Sequence, residues 1–110
     1  MSLKHDLHAS VIIPVYNQKD SLRITLGFFG LQTYPAEHYE IIVVDDGSTD
    51  GLTDLIDNDS WPKPACGIKY IRQENKGRAE ARNTGALCAG GRRLIFCDCD
   101  RLPDMGFVEQ

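Results

Sequence analysis

Two apolar runs that stop abruptly at acids constrain this chain more than any other feature. Ile41-Ile42-Val43-Val44 leads into Asp45-Asp46-Gly47-Ser48, and Leu94-Ile95-Phe96-Cys97 into Asp98-Cys99-Asp100. A continuous β-branched run, without polar alternation, fits a strand buried on both faces and therefore a parallel sheet. Its end at carboxylates puts those acids at the carboxyl edge of the sheet, where open α/β sheets bind ligands. Acids so placed are expected to meet a cation or a polar ring.

The rest of the chain alternates strand and helix around these two runs. Ala9 to Pro14 reads as a first strand, and Asn17 as the cap of a helix carrying Asp20 in its first turn. Leu22, Leu26 and Phe29 form the apolar stripe of that helix, which Gly30 and Pro35 end. Tyr39 to Val44 is the second strand. Ser48, Thr49 and Asp50 offer caps for a short helix over Leu52 to Asp57, and Asp46 and Ser48 have an ordinary turn-capping reading as well. The stretch Asn58 to Gly67, with Trp61-Pro62-Lys63-Pro64, is a loop. Ile68 to Gln73 is the third strand, Arg78 to Cys88 a helix closed by Gly90-Gly91, and Arg93 to Cys97 the fourth strand. This order predicts an α/β fold, a Rossmann-like parallel sheet with flanking helices, joined by right-handed crossovers. Residues 1–8 are expected to be a flexible amino-terminal segment and residues 9–110 the ligand-binding part of one domain, incomplete at the carboxyl terminus.

Composition bounds the partners. The chain of 110 residues has a formal net charge of -4, which argues against a general nucleic-acid or anionic-membrane surface. Basic residues gather between Lys69 and Arg93, a local patch suited to one small anion. No stretch approaches the ~20 apolar residues of a membrane span. The four cysteines, Cys66, Cys88, Cys97 and Cys99, form no C-x-x-C pair, and read as small thiols of a reducing compartment rather than a zinc site. Cys97 and Cys99 are expected on one face of a strand. A cytoplasmic location follows, with peripheral association at the inner face of the membrane as the variant.

On the predicted rim, Asp98 and Asp100 at i and i+2 point the same way and suit a hard cation, Mg²⁺ or Mn²⁺, that shares its shell with substrate phosphates. The bland alternative is a solvated acidic turn. Asp46, or Asp45, has the geometry to accept a hydrogen bond from a ring imide, and Gly47 to take a positive φ or let backbone approach closely. Tyr16 offers a face for stacking on a base, against the alternative of plain packing. Arg82 and Lys76 suit phosphate oxygens, whereas Arg78, Arg92 and Arg93 read as solvated surface. The histidines are scattered and suggest no ligand role.

With these residues placed, the chain resembles the amino-terminal part of the family 2 glycosyltransferases, which have the GT-A fold. The resemblance rests on Val11-Ile12-Ile13-Pro14-Val15-Tyr16-Asn17, on Glu40 to Asp50, on Asn75-Lys76-Gly77 with Ala81-Arg82-Asn83-Thr84-Gly85, and on Phe96-Cys97-Asp98-Cys99-Asp100. It implies a nucleotide-diphosphate sugar donor, most often UDP-linked, a divalent cation, and inverting transfer to a glycan, lipid or protein acceptor. Carried over, Pro14 and Tyr16 would line the base pocket, and Asp46, with or without Asp45, would read the base. Arg82 would lie near the base or diphosphate, Asp98 by the ribose and metal waters, and Asp100 on the metal. Cys99 stands where the family has a small residue, and Arg101 where a further acid is frequent. The acceptor site and catalytic base are expected beyond Gln110, so the isolated chain should turn over poorly and self-associate through an uncovered fourth strand. A non-catalytic nucleotide-sugar-binding module remains open. A nucleotidyltransferase lacks its glycine-rich phosphate loop here, and a receiver domain lacks its acid after the first strand.

Overall fold

The computed structural model describes residues 7–29, 32, 35–57 and 66–99. Strand β1 (Ala9–Val15) leads to helix α1 (Lys19–Phe29), a single 3-10 turn (Ala36–His38) and strand β2 (Tyr39–Asp45). Helix α2 (Leu52–Asp57), strand β3 (Gly67–Arg72), helix α3 (Arg78–Cys88) and strand β4 (Arg93–Phe96) follow. The strands lie in the order β3-β2-β1-β4, and every pairing is parallel. The expected α/β architecture is the observed one.

Strand alternation explains the layers. In β1 and β2 every residue is buried, because successive side chains enter cores on opposite faces. Val11, Ile13 and Val15 pack with Ile41 and Val43 against Leu22, Leu26 and Phe29 of α1 and Leu52 of α2. Ile12, Ile42 and Val44 pack on the other side against Ala81 of α3. Helix α3 comes close to the sheet because Gly85 has no side chain: a Cβ there would lie 2.5 Å from Ile12 Cγ2. The chain therefore runs β1 to β2 to β3 in one direction, then returns past both central strands to place β4 on the far side of β1. The point where the winding reverses lies between β1 and β4, and the crevice at their carboxyl ends is the expected ligand position for such a sheet.

The opposite edge is held by a buried acid. Glu40 Oε2 accepts hydrogen bonds from Ser10 Oγ (2.6 Å) and the Gly90 N–H (2.7 Å), while Lys69 Nζ lies 3.3 Å from Oε1. The Gly91 N–H in turn donates to Ser10 Oγ at 2.8 Å. Burial pushes the Glu40 carboxyl upward, but the donors from Ser10, Gly90 and Lys69 outweigh it and hold its pKa below the ordinary value. These bonds tie the α3–β4 connection to the two central strands.

Several local expectations are corrected. Strands β1 and β2 each run one residue further, through Val15 and Asp45, because their mutual pairing continues to that register. Strand β3 is Gly67–Arg72 and β4 ends at Phe96. Cys97 and Cys99 thus lie beyond the strand, yet both are buried in the core on the α1 side. Asn17 does not cap α1. Its Oδ1 accepts from the Thr49 N–H at 2.7 Å, and the Lys19 N–H of α1 is taken instead by Asp50 Oδ2 at 2.9 Å. Helix α3 ends at Cys88 with an extended Ala89 as its cap, and Gly90-Gly91 serve the Glu40 and Ser10 contacts rather than the helix end. Gly30, Trp61, Asp100, Arg101 and Gln110 lie outside the described residues. Among the described residues no helix is long and apolar enough to cross a membrane.

Candidate functional site

Four loops meet at the carboxyl rim, and hydrogen bonds between them fix their side chains. After β1, Asn17 adopts a left-handed backbone with φ of 52°, a conformation that asparagine tolerates better than most residues. Its N–H donates to Ser48 Oγ at 2.9 Å, so the Tyr16-Asn17 corner is fastened to the turn after β2. Tyr16, 46 % exposed, is left at the surface of a cavity that Pro14, Asp46, Arg78 and Ala81 also line.

The two acids after β2 have separate environments. Asp45 is fully buried: Oδ1 accepts from the Ser48 N–H at 2.9 Å, and Oδ2 from the Tyr70 hydroxyl and from Arg72 Nη1 at 3.0 Å. Arg72 also donates to Ser48 O and Thr53 Oγ1, so Asp45 organises the turn from within and is not brought to the cavity. Asp46 does line the cavity. Its Oδ1 accepts from Gln73 Nε2 (2.8 Å) and the Lys76 N–H (2.8 Å), and its Oδ2 from the Gly77 N–H (2.9 Å). Burial works to raise the Asp46 pKa, but these three donors prevail and hold it below the ordinary value. The acid is thus ionised and acceptor-only. Three of its roughly four acceptor positions are filled, which leaves one for a ligand N–H. Gly47, at φ of 81°, lets the turn pass close to Asn75: a Cβ there would lie 2.9 Å from the Asn75 nitrogen.

At the end of β4, Asp98 is half-buried and faces α3. Arg78 Nη1 lies 3.7 Å and Arg82 Nη2 3.5 Å from Asp98 Oδ1. The Arg82 guanidinium also sits over the Phe96 ring, 5.9 Å from its centre, and its Nε is buried without a hydrogen-bond acceptor among the described residues. The segment after β4 is anchored from α1, where buried Thr25 donates its hydroxyl to Cys99 O at 2.7 Å.

Bases from elsewhere in the chain partly neutralise these acids. Arg72 pairs with Asp45, and Arg78 and Arg82 with Asp98, because the crossovers return distant segments over the rim. Arg78, expected to be solvated surface, lines the cavity. Pro14, Tyr16 and Asp46 share that cavity, and Arg82 meets Asp98 beside it. Lys76 is exposed and reaches Asp46 through its backbone N–H. Gln73, Thr84 and Asn75 received no individual role from sequence alone, although Asn75 and Thr84 lie in the segments that carry the resemblance. Thr84 donates to Gln73 Oε1 at 2.6 Å, and Asn75 Nδ2 to Asp46 O at 3.0 Å. A polar residue just after β3 and a hydroxyl next to the sheet-packed Gly85 of α3 were the available signals.

A parallel sheet with a cavity, an exposed tyrosine and an ionised acid at its carboxyl rim defines an α/β domain of the GT-A kind. The chain belongs to Glycosyl transferase family 2, whose domain it matches over residues 10–110. It is 39% identical over 101 residues to glycosyltransferase AglE of Haloferax volcanii, covering 92% of this chain and 33% of that protein. It is 39% identical over 102 residues to validoxylamine A glucosyltransferase of Streptomyces hygroscopicus subsp. jinggangensis, covering 91% of this chain and 24% of that protein. In three dimensions it is similar to S. aureus TarS 1–349 in complex with UDP, with a TM-score of 0.81 and 26% identity over 94% of this chain and 30% of that one. A mannosyltransferase from Pyrobaculum calidifontis, in complex with GDP-Man and Mn²⁺, matches with a TM-score of 0.79 and 30% identity over 87% of this chain and 28% of that one. The chain thus spans about a third or less of the length of these relatives.

Proposed function

We propose that this chain forms the donor-binding part of a glycosyltransferase that uses a nucleotide-diphosphate sugar, UDP-linked, with a divalent cation. The carrying observation is the shared cavity of Pro14, Tyr16, Asp46 and Arg78 at the carboxyl ends of β1 and β2, against the start of α3. Tyr16 stacks on the base while Pro14 walls it, and the remaining acceptor position of Asp46 takes the imide N–H of uracil. A cytosine ring, lacking that N–H, would leave the ionised acid facing an acceptor, at a cost typical of an unpaired buried group. Arg82, Arg78 and Lys76 supply positive charge for the diphosphate. The buried Nε of Arg82 is a donor that a ligand oxygen would satisfy.

Asp98 fits a cation of the Mg²⁺ or Mn²⁺ class: it is a hard oxygen ligand at the rim, and both guanidinium contacts fall on Oδ1, leaving the other oxygen. Asp100 is the second ligand in this reading. A cation held there supplies electrostatic stabilisation to a diphosphate leaving group. Thr25 serves the same end by fixing the Cys99 carbonyl between the two acids. The transfer is taken to be inverting, with a glycan, lipid or protein as acceptor, in the cytoplasm or at the inner face of the membrane. The cysteines, none of them in a disulfide, suit that reducing compartment. Leu94 and Phe96, exposed on edge strand β4, support self-association of this chain.

Calorimetry of UDP, GDP, CDP and ADP, with and without Mn²⁺, tests the reading. UDP binding that needs the metal and is lost in Asp100→Ala and Tyr16→Ala is expected. Equal binding of CDP, or none of UDP, overturns it.

A further inference from the structure

We propose that Arg78 couples nucleotide entry to cation binding by releasing Asp98, an inference that rests on the donor-site reading above. Arg78 is the first residue of α3 and belongs to both parts of the site. It lines the cavity with Tyr16 and Asp46, and its Nη1 lies 3.7 Å from Asp98 Oδ1. Arg82 Nη2 reaches the same oxygen at 3.5 Å. The carboxylate at the end of β4 is thus occupied by two guanidiniums before any ligand arrives, and a carboxylate so paired is a poorer ligand for a cation of like charge to its partners.

A nucleoside diphosphate offers a guanidinium a better partner than Asp98 does, with more charge and several oxygens in fork geometry. Arg78 is the arginine free to turn. Its side chain is 57% exposed, whereas that of Arg82 is 41% exposed, with its Nε buried and its guanidinium over Phe96. When Arg78 turns from Asp98 to the diphosphate, one positive charge leaves the carboxylate as the nucleotide binds. Nucleotide and cation then favour each other beyond the chelation that the diphosphate provides alone, and by linkage the effect is reciprocal.

The test is Mn²⁺ binding, read from the electron-paramagnetic-resonance signal of the free ion, for the wild-type chain and Arg78→Gln with and without UDP. Without nucleotide, Arg78→Gln is expected to bind Mn²⁺ roughly two- to fivefold more tightly, the range set by a partly exposed ion pair. The factor by which UDP raises Mn²⁺ affinity falls correspondingly in the variant. In an Asp98→Asn background, Arg78→Gln should change nothing. Equal Mn²⁺ affinity of wild type and Arg78→Gln without nucleotide, or an unchanged UDP factor, overturns the role of Arg78 while leaving the donor site standing. A wild-type chain that binds no UDP with any divalent metal removes the donor site itself, and this inference with it.

Discussion

Gln73 Nε2 donates to Asp46 Oδ1 at 2.8 Å, and the orientation of that amide is fixed by the Thr84 hydroxyl on its oxygen. Gln73→Leu leaves Asp46 with two backbone donors in place of three, and its pKa rises from the depressed value toward the ordinary one. A group with a lowered folded pKa stabilises the fold above its unfolded value and loses that contribution as pH falls through the folded one. The variant should therefore be less stable than wild type by about 1–3 kcal/mol at pH 7, with the gap closing as pH falls below the ordinary value of 3.8. Urea unfolding across pH measures it. A gap that stays constant with pH contradicts the assignment.

Glu40 gives a second acid-dependent contribution, at the far edge of the sheet. Its carboxyl is also held below the ordinary value of 4.5, so its stabilising effect is complete above that value and lost as pH falls through the folded one. Glu40→Leu strands the Ser10 hydroxyl and the Gly90 N–H and should cost about 1–3 kcal/mol for each group left unpaired. Thermal melting at pH 7 and at pH 3 should show a large difference between wild type and variant at the first and a smaller one at the second.

Asp50 serves two helices at once, with Oδ2 on the Lys19 N–H of α1 and Oδ1 on the Leu52 N–H of α2. Asp50→Ala removes both caps, each worth about 0.5–2 kcal/mol. Asp50→Asn retains one carbonyl acceptor and should fall between the two in stability. Hydrogen exchange of Lys19 and Leu52 should quicken together in the alanine variant; a change in only one amide would separate the two helix ends.

Two helical glycines predict opposite signs. At Gly27 of α1 an added Cβ meets nothing within 4 Å, so Gly27→Ala should stabilise by roughly 0.5–1 kcal/mol through backbone entropy. At Gly85 the same methyl would meet Ile12 Cγ2 at 2.5 Å and Val44 Cγ2 at 3.2 Å, both fully buried. Overpacking of about 1–3 kcal/mol outweighs the helix gain there. Denaturation midpoints of the two alanine variants should move apart. Shifts of the same sign would show that α3 lies further from the sheet.

The layers were legible because they depend on local signals. Uninterrupted apolar runs set the two central strands, and the Leu22, Leu26, Phe29 stripe set the buried face of α1. The cavity members Pro14, Tyr16 and Asp46 were legible for the same reason, since each lies at or just past the end of a strand. What sequence concealed was partnership across the chain. Asp50 capping α1, Arg72 neutralising Asp45 and Thr25 holding Cys99 all join residues more than twenty positions apart, and no periodicity records such pairs. Arg78 looked like surface because exposure and site membership coincide at a helix start. Asn17 looked like a cap because its residue type fits two roles, and only the positive φ decides between them.

The reversal of winding between β1 and β4 has a thermodynamic consequence. Tyr16 hangs from one strand and Asp98 from the other, so a molecule touching both works as a clamp across the seam between the first and last described strands. Ligand held only by the native chain at a hundred times its Kd adds about 2.7 kcal/mol against unfolding, which for a domain of this size raises the melting temperature by some ~10 °C or more. Under the proposed function, heat resistance measured with a panel of sugar nucleotides thereby becomes a ruler for donor preference.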